Sequence, residues 1–331
     1  MVGRNADMRK LLVFALVVLA LLLPSPVGAT SGGRPVALVS AETSNEVLAL
    51  SLGKYGGRVL RRVHLVDPLM IAAPVHGPAV VVSTTGTVTL LAWHSLRPIK
   101  IFHAFRSPKV AEIAPGGRLA YVTDEKTGKL SVIDLRRRRI VGRIFVGLQA
   151  HHFGISPDGR RIWVALGETA RTVVRLDSSD PRKPHVIGRF HPRFGAHDVA
   201  FAPDSRTVLV TSPSGPGGVS AYSAVGRPRM LWSAGAGRGP EHVAFSGGKA
   251  LVSSGYSSSL DALFWRSPSR APLAATAPYG SFNLVTYGGF VVTTSLLTGQ
   301  VSEFQVRDLH RLWTTKVAPA ARYVAISVWP R

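Results

Sequence analysis

The amino-acid sequence predicts an all-β protein that folds as a seven-bladed β-propeller. Three observations support this fold class. Short apolar runs rich in Val, Ile, Leu and Tyr alternate at period two, turn residues separate them, and the combined pattern recurs every 40–46 residues. A repeat of this length with four short strands is typical of a propeller blade.

Five copies of the repeat are clear, and each contains an apolar run, a turn of the Pro-Asp-Gly type and a second apolar run. Proline presets φ in such a turn, aspartate caps it, and glycine takes the position with positive φ, so we interpret these residues as structural. The turns begin at Ala114, Ser156, Ala202, Ser246 and Thr286. In the copy that begins at Val110, we predict strands at residues 110–113, 119–123, 130–134 and 140–146.

Two weaker copies precede these five, one from Leu69 and one from Arg34. The copy from Arg34 lacks an innermost strand. The C-terminal segment RYVAISV, residues 322–328, matches the innermost strands of the other copies. We therefore predict that the last strand completes the first blade, so that the blades close into a ring without open sheet edges.

One copy carries a recognisable motif. The segment APGGRLAYVTDEKTGKLSVIDL, residues 114–135, followed by RIVGRIFVG, resembles the YVTN repeat of YncE-like seven-bladed propeller proteins. The match is close at the tetrad YVTD, residues 121–124, and looser in SPDGRRIWVAL and APDSRTVLVTS. Members of this family are generally exported or surface proteins, mostly without an assigned reaction. The resemblance thus implies a binding or scaffold protein, although fold analogy alone carries no chemistry.

The N-terminus has the pattern of a secretory signal peptide. Basic residues precede an apolar run at residues 11–23, and the small residues Val27 and Ala29 suit cleavage after Ala29. The run has 13 residues, whereas a membrane span needs about 20. An uncleaved anchor is the alternative.

The predicted organisation is a signal peptide at residues 1–29 and a single propeller domain at residues 30–331. The mature protein is then secreted, extracellular or associated with the cell envelope, and free secretion and retention at the envelope both stay open. The chain has no cysteine, which excludes disulfides, thiolate metal sites and thiol nucleophiles.

The chain is strongly basic, with a formal net charge of +22. Such a charge favours an anionic macromolecule as partner, cell-wall polymer first and nucleic acid second, and it allows peripheral contact with a membrane surface. We expect a monomer. A candidate anion-binding surface is the basic run in one predicted turn, Arg136, Arg137, Arg138 and Arg139. A solvated turn is the alternative interpretation of that run.

Aligning the copies on their turns places two sets of polar residues at the start of the innermost strands. The first set is Lys109, His151, His197, Glu241, Ser281 and Arg322. The second set is Val110, His152, Asp198, His242, Phe282 and Tyr323. Innermost strands surround the central channel of a propeller, so their starts meet at one mouth. The predicted ligand-binding residues at this mouth are Lys109, His151, His152, His197, Asp198, Glu241, His242 and Arg322.

Two ligand chemistries fit these residues. Imidazoles that converge with carboxylates suit zinc, copper or nickel, and His151, His197 and His242 are candidate metal ligands. Lys109 and Arg322 instead favour a phosphate or carboxylate ligand. Polar residues that simply line a wet channel are the structural alternative.

The sequence leads to two functional hypotheses. The first is a non-enzymatic binding scaffold with a basic surface for anionic envelope polymer and a small-ligand or metal site at the channel mouth. The alternative is a metal-assisted lyase or hydrolase that uses a channel-mouth histidine as general base. The chain lacks the phosphate-binding loop, H-E-x-x-H and G-x-S-x-G motifs. We therefore predict the scaffold, assign no catalytic residue and infer that no cofactor is required, with a divalent metal as the open alternative.

Overall fold

The computed structural model describes residues 33–214 and 218–330 of the chain. Within these ranges the protein forms seven four-stranded antiparallel sheets and one 3-10 turn at Glu42–Ser44. Each innermost strand contacts the innermost strands of both neighbouring sheets, so the sheets form a closed ring around a channel. The predicted seven-bladed β-propeller is confirmed.

The blades follow one another along the chain, and blades 2–7 each run from the innermost to the outermost strand. Blade 1 contains β1 (Gly33–Ala41), β2 (Glu46–Ser51), β3 (Val59–His64) and the C-terminal β28 (Val324–Pro330). Blade 2 contains β4 (Pro68–Ala72), β5 (Ala79–Ser83), β6 (Val88–Leu91) and β7 (Pro98–Phe102). Blade 3 contains β8 (Pro108–Ile113), β9 (Leu119–Asp124), β10 (Lys129–Asp134) and β11 (Arg139–Phe145). Blade 4 contains β12 (Ala150–Ile155), β13 (Arg161–Leu166), β14 (Val173–Asp177) and β15 (His185–Phe190).

The other three blades have the same order. Blade 5 contains β16 (Val199–Phe201), β17 (Thr207–Ser212), β18 (Gly218–Ser223) and β19 (Met230–Ala234). Blade 6 contains β20 (Pro240–Ser246), β21 (Lys249–Ser254), β22 (Ser259–Leu263) and β23 (Leu273–Thr276). Blade 7 contains β24 (Ser281–Tyr287), β25 (Phe290–Ser295), β26 (Gln300–Gln305) and β27 (Arg311–Lys316).

Strand β28 closes the ring. It pairs antiparallel with β1, with Val36 opposite Ser327 and Val39 opposite Val324. The first blade therefore combines strands from both ends of the chain, as the sequence predicts. This pairing satisfies the backbone groups along β1 that would otherwise form an open sheet edge.

The core lies between the blades, because each sheet is covered on both faces by its neighbours. Strand β9 is buried along its whole length, whereas the outermost strand β11 is largely exposed. Trp163 of blade 4 is buried and packs edge-on against Phe201 of blade 5, with ring centroids 5.8 Å apart. The tryptophan thus contributes to packing between blades, where apolar area is removed from water.

No helix among the described residues is long and apolar enough to cross a membrane. The predicted signal peptide, residues 1–29, lies outside the described residues.

Candidate functional site

Three buried imidazoles meet at one mouth of the channel. His152 lies in β12, His242 lies in β20, and His197 lies two residues before the start of β16. The ring centroid of His152 is 4.4 Å from that of His197 and 5.0 Å from that of His242, and the His197 and His242 centroids are 5.4 Å apart. Each residue is at most 5% exposed. We call these three residues the histidine cluster.

Hydroxyl groups on the second strands hold the backbone at this mouth. Thr211 Oγ1 accepts a hydrogen bond from the Asp198 N–H at 3.0 Å and donates one to the Glu241 carbonyl of the next blade at 2.6 Å. Ser253 Oγ likewise accepts from the His242 N–H and donates to the Phe282 carbonyl of the next blade. Each hydroxyl therefore ties two blades together at the point where site residues begin.

Backbone carbonyls orient two rings of the histidine cluster. His197 Nδ1 lies 2.9 Å from the Glu168 carbonyl oxygen, and His242 Nδ1 lies 2.9 Å from the Phe282 carbonyl oxygen. A carbonyl only accepts hydrogen bonds, so Nδ1 carries the proton in both rings. In a neutral ring, Nε2 then keeps its lone pair.

His197 and Glu241 form a buried pair. His197 Nε2 lies 3.0 Å from Glu241 Oε2, an ion-pair distance, although the N–H direction is too oblique for a good hydrogen bond. Burial by itself lowers the pKa of His197, but the Glu241 carboxylate and the Glu168 carbonyl outweigh burial and leave that pKa raised. The pair can hold and pass a proton.

The neighbouring imidazoles are neutral at physiological pH. Burial, followed by the positive charge of His197, lowers the pKa of His242 to about 3. Burial and the same charge lower the pKa of His151 to about 3 and that of His152 well below its ordinary value. These rings therefore offer lone pairs rather than positive charge.

Two cations flank a small cavity beside the histidine cluster. The cavity has a volume of about 100 Å³, and its lining includes Lys109, Arg322, His151 and His152. Lys109 Nζ lies 3.3 Å from a Glu125 carboxylate oxygen. Arg322 is also paired, because its Nη1 lies 2.8 Å from a carboxylate oxygen of Glu42 in the 3-10 turn.

A second cavity lies on the other side of His197. It has a volume of about 290 Å³, and its lining includes Glu168, His197, Glu241 and Tyr256. The His197–Glu241 pair therefore faces both cavities through His197. Glu168 and Tyr256 come from loops after β13 and β21, which vary between repeats, so alignment of the repeats could not identify them.

The structure brings His152, rather than His151, together with His197 and His242. One ring nitrogen from each residue of the histidine cluster lies within 4.8 Å of the other two. The β12–β13 pairing is irregular between Ala150 and Phe153, and His152 occupies the same place in this irregular segment as His242 does in β20. His151 contacts only the His152 ring among these imidazoles, at a centroid distance of 4.6 Å.

Asp198 lies beside the cluster, but its side chain links two blades. Its Oδ2 accepts the Val243 N–H at 2.9 Å, which links blade 5 to blade 6. Asn283 plays the same part between blades 7 and 1, because its Oδ1 accepts the Val324 N–H. The equivalent of His242 in blade 7 is therefore Asn283. The alignment of the repeats had predicted Phe282, which is wrong by one residue.

The sequence analysis did not identify Glu112, a carboxyl on the innermost strand of blade 3. Burial, followed by the nearby Asp198 carboxylate, raises the pKa of Glu112 on β8 well above its ordinary value. A single acidic residue in a strand gives no sequence signal of this kind.

The basic run lies apart from this mouth. Arg136, Arg137 and Arg138 form the exposed turn between β10 and β11, and Arg139 begins β11. A turn between the third and fourth strands of a blade lies at the end opposite to the start of the innermost strand. The run therefore does not join the histidine cluster.

Neither protein-family profiles nor curated proteins match the chain. Solved structures do match. A protein of unknown function from Desulfotomaculum acetoxidans aligns with a TM-score of 0.74 at 15% identity, covering 89% of this chain and 99% of that one. The periplasmic gluconolactonase of Pseudomonas aeruginosa aligns with a TM-score of 0.71 at 16% identity, covering 88% and 98%.

A candidate 6-phosphogluconolactonase from Bacteroides fragilis aligns with a TM-score of 0.72 at 13% identity, covering 90% of this chain and 99% of that one. At these identities the likeness concerns the fold. It nevertheless corrects the prediction of a non-enzymatic scaffold, because neighbours that share the whole propeller are named as lactonases. The alternative hypothesis, a hydrolase, fits these neighbours better.

Proposed function

We propose that this protein is a hydrolase that opens small lactones or related esters at the channel mouth. The observation that carries the proposal is the buried His197–Glu241 pair, which lies between two cavities and next to neutral imidazoles. The gluconolactonase-like neighbours support the choice of a lactone as substrate class.

The pair has the groups that lactone hydrolysis needs. A water molecule attacks the carbonyl carbon and gives a proton to the Glu241 carboxylate, so a new C–O bond forms. The ring C–O bond then breaks, and the leaving alkoxide takes a proton from the His197 imidazolium. Proton transfer from Glu241 to His197 across their 3.0 Å separation restores the pair. The product is a hydroxy acid.

The two cavities suit different parts of a substrate. The cavity of about 290 Å³ is close to the lower limit for small-molecule sites, about 300 Å³. Lys109 and Arg322 line the cavity of about 100 Å³, but Glu125 and Glu42 pair with them and offset part of their charge. This cavity therefore gives only a weak preference for a carboxylate or phosphate substituent on the lactone.

The proposal is tested by the hydrolysis of gluconolactone and 6-phosphogluconolactone, after subtraction of the spontaneous rate. We expect Glu241→Gln and His197→Gln each to lower kcat/KM at least about 100-fold, as loss of acid–base catalysis does. Glu46→Gln is the matched control, because Glu46 pairs with Arg62 on the outer strands of blade 1. Rates equal to the spontaneous reaction, or full activity of the Glu241→Gln variant, would show that the proposal is wrong.

We also propose that the repeats are of the YVTN type and that the protein is exported. Thr123 of the YVTD tetrad supports the first point, because its Oγ1 accepts the Val110 N–H and donates to the His151 carbonyl of the next blade. The apolar N-terminal run supports the second point. Detection of a mature chain that begins at Thr30 outside the cytoplasm tests the proposed export.

A further inference from the structure

We propose that the histidine cluster binds one divalent transition-metal ion, with His152, His197 and His242 as ligands and Glu241 as the fourth. The inference goes beyond the proposed hydrolysis, since metal binding is measurable without any substrate. It concerns a separate form of the site, in which the ion takes the place of the His197 proton that the proposed hydrolysis uses. It depends on the convergence of the three rings, on their orientation and on the buried Nε2 of His197, which has no well-directed hydrogen bond.

The first argument is geometric. One ring nitrogen from each histidine lies within 4.8 Å of the others. Zinc–nitrogen bonds of about 2.0–2.1 Å in a tetrahedron separate two ligand nitrogens by about 3.4 Å. These nitrogens therefore need to approach one another by at most about 1.4 Å to bind one ion.

The second argument is the orientation of the rings. The Glu168 and Phe282 carbonyls hold Nδ1 of His197 and His242, so Nε2 of each ring is the atom that could bind a metal. On His242 this atom lies 3.3 Å from the Tyr323 hydroxyl, which a metal would displace. A metal-binding histidine usually has its other ring nitrogen held in this way, because the second hydrogen bond fixes the tautomer and the ring plane.

The third argument is an unsatisfied nitrogen in the cluster. His152 is 3% exposed and lines the small cavity, and the buried Nε2 of His197 has no well-directed hydrogen bond. A buried polar group without a partner costs about 1–3 kcal/mol. A metal ligand bond would satisfy this nitrogen where the surrounding protein does not.

The charges around the cluster allow a cation. Glu241 lies within 3.0 Å of His197, and the buried Asp198 is the next residue in the chain. Lys109 and Arg322 do not oppose a cation with their full charge, because Glu125 and Glu42 pair with them. Three imidazoles and one carboxylate suit zinc, copper or nickel, whereas calcium and magnesium prefer oxygen ligands.

The test uses the purified chain with Zn²⁺ in isothermal titration calorimetry and with Cu²⁺ in electron paramagnetic resonance. We expect one Zn²⁺ per chain and a Cu²⁺ spectrum that shows three nitrogen ligands. His152→Ala and His242→Ala should each weaken Zn²⁺ binding by more than about 100-fold, the upper range for loss of a supporting residue.

His151→Ala is the matched control, since His151 is the adjacent histidine and lies outside the cluster. Its Zn²⁺ affinity should stay within about twofold of the unaltered chain, well below the effect of losing a ligand. If circular dichroism shows that an alanine variant does not fold, the corresponding glutamine variant replaces it. The number of nitrogen ligands in the Cu²⁺ spectrum of the unaltered chain then decides whether the three histidines bind the ion. Absence of stoichiometric Zn²⁺, fewer than three nitrogens, or a loss caused by His151→Ala and not by His152→Ala would overturn the inference. Zinc binding without lactone hydrolysis would leave it standing and remove the proposed function.

Discussion

Thr211 shows how one residue serves both the fold and the candidate site. Its hydroxyl accepts the Asp198 N–H and donates to the Glu241 carbonyl, so it joins blades 5 and 6 beside the buried carboxylate. Thr123 makes the equivalent bonds between blades 3 and 4. Blade 4 has Ala165 at this place and makes no such bond. The backbone carbonyl of Glu168 instead holds His197 through its ring.

Loss of this hydroxyl should destabilise the protein. We expect Thr211→Val to lower the free energy of unfolding by about 2 kcal/mol, because it leaves a buried N–H and a buried carbonyl without partners. Thr211→Ser keeps the hydroxyl and should stay within about 1 kcal/mol of the unaltered protein. Thermal and denaturant unfolding measure both variants, and equal stability of the valine and serine variants would contradict this account.

Individual hairpins explain where the sequence alignment fails. Ser246 pairs with Lys249 across Gly247-Gly248, and Tyr287 pairs with Phe290 across the next Gly-Gly turn. The correct equivalent of Ser246 is thus Tyr287, whereas the alignment started the last turn one residue earlier. Because side chains alternate along a strand, a shift of one residue exchanges the two faces. Phe282 was therefore assigned the position that Asn283 occupies.

Asp134 stabilises another turn, between β10 and β11. Its side chain is fully buried, and its Oδ1 accepts the Arg137 N–H at 2.9 Å. The guanidinium groups of Arg118 and Arg182 lie 3.8 and 3.4 Å from its Oδ2. Desolvation favours the neutral acid, but the hydrogen bond and the arginines outweigh desolvation and lower the pKa of Asp134.

This lowered pKa predicts a pH-dependent contribution to stability. A carboxyl with a lower pKa in the folded protein stabilises it above the ordinary aspartate value of about 3.9, and the contribution disappears as pH falls through the lowered value. The Asp134→Asn variant should therefore be less stable than the unaltered protein at pH 7, and the two should converge once the pH falls below the lowered pKa of Asp134. Denaturant unfolding across this pH range measures the difference, and a difference that grows on acidification would contradict the assignment.

The whole molecule depends on its closure by β28. This strand supplies the innermost position of blade 1, and it contacts the innermost strands β24 and β4 on either side. Val328 also donates its backbone N–H to the Val75 carbonyl in blade 2. Removal of β28 would uncover β1 as an edge strand and open the channel wall.

A chain that ends at Tyr323 should therefore lose its closure. We expect a lower melting temperature and concentration-dependent association, because the uncovered β1 edge can pair with another molecule. A chain that ends at Pro330 is the control and should behave like the full chain. Size-exclusion chromatography and thermal unfolding compare them, and a monomeric truncated chain with unchanged melting temperature would show that closure contributes little.

The amino-acid sequence by itself determined the β-propeller, the number of blades and the closure by the last strand. It could do so because turn chemistry and period-two alternation are local and recur in each blade. It also indicated which residues begin the innermost strands. From this we predicted that His152, His197, Glu241 and His242 lie at one mouth of the channel.

Only the tertiary structure decided what these residues do. His152 lies in the cluster in place of His151, at the position in β12 that corresponds to His242 in β20. The β13–β14 loop brings the Glu168 carbonyl to His197, and the side chain of Tyr256 borders the same cavity. Such contacts depend on loops without a repeated sequence and on the relative placement of blades. An alignment of the repeats contains neither kind of information. Side chains from different blades meet at the channel mouth only because all seven sheets close into a ring.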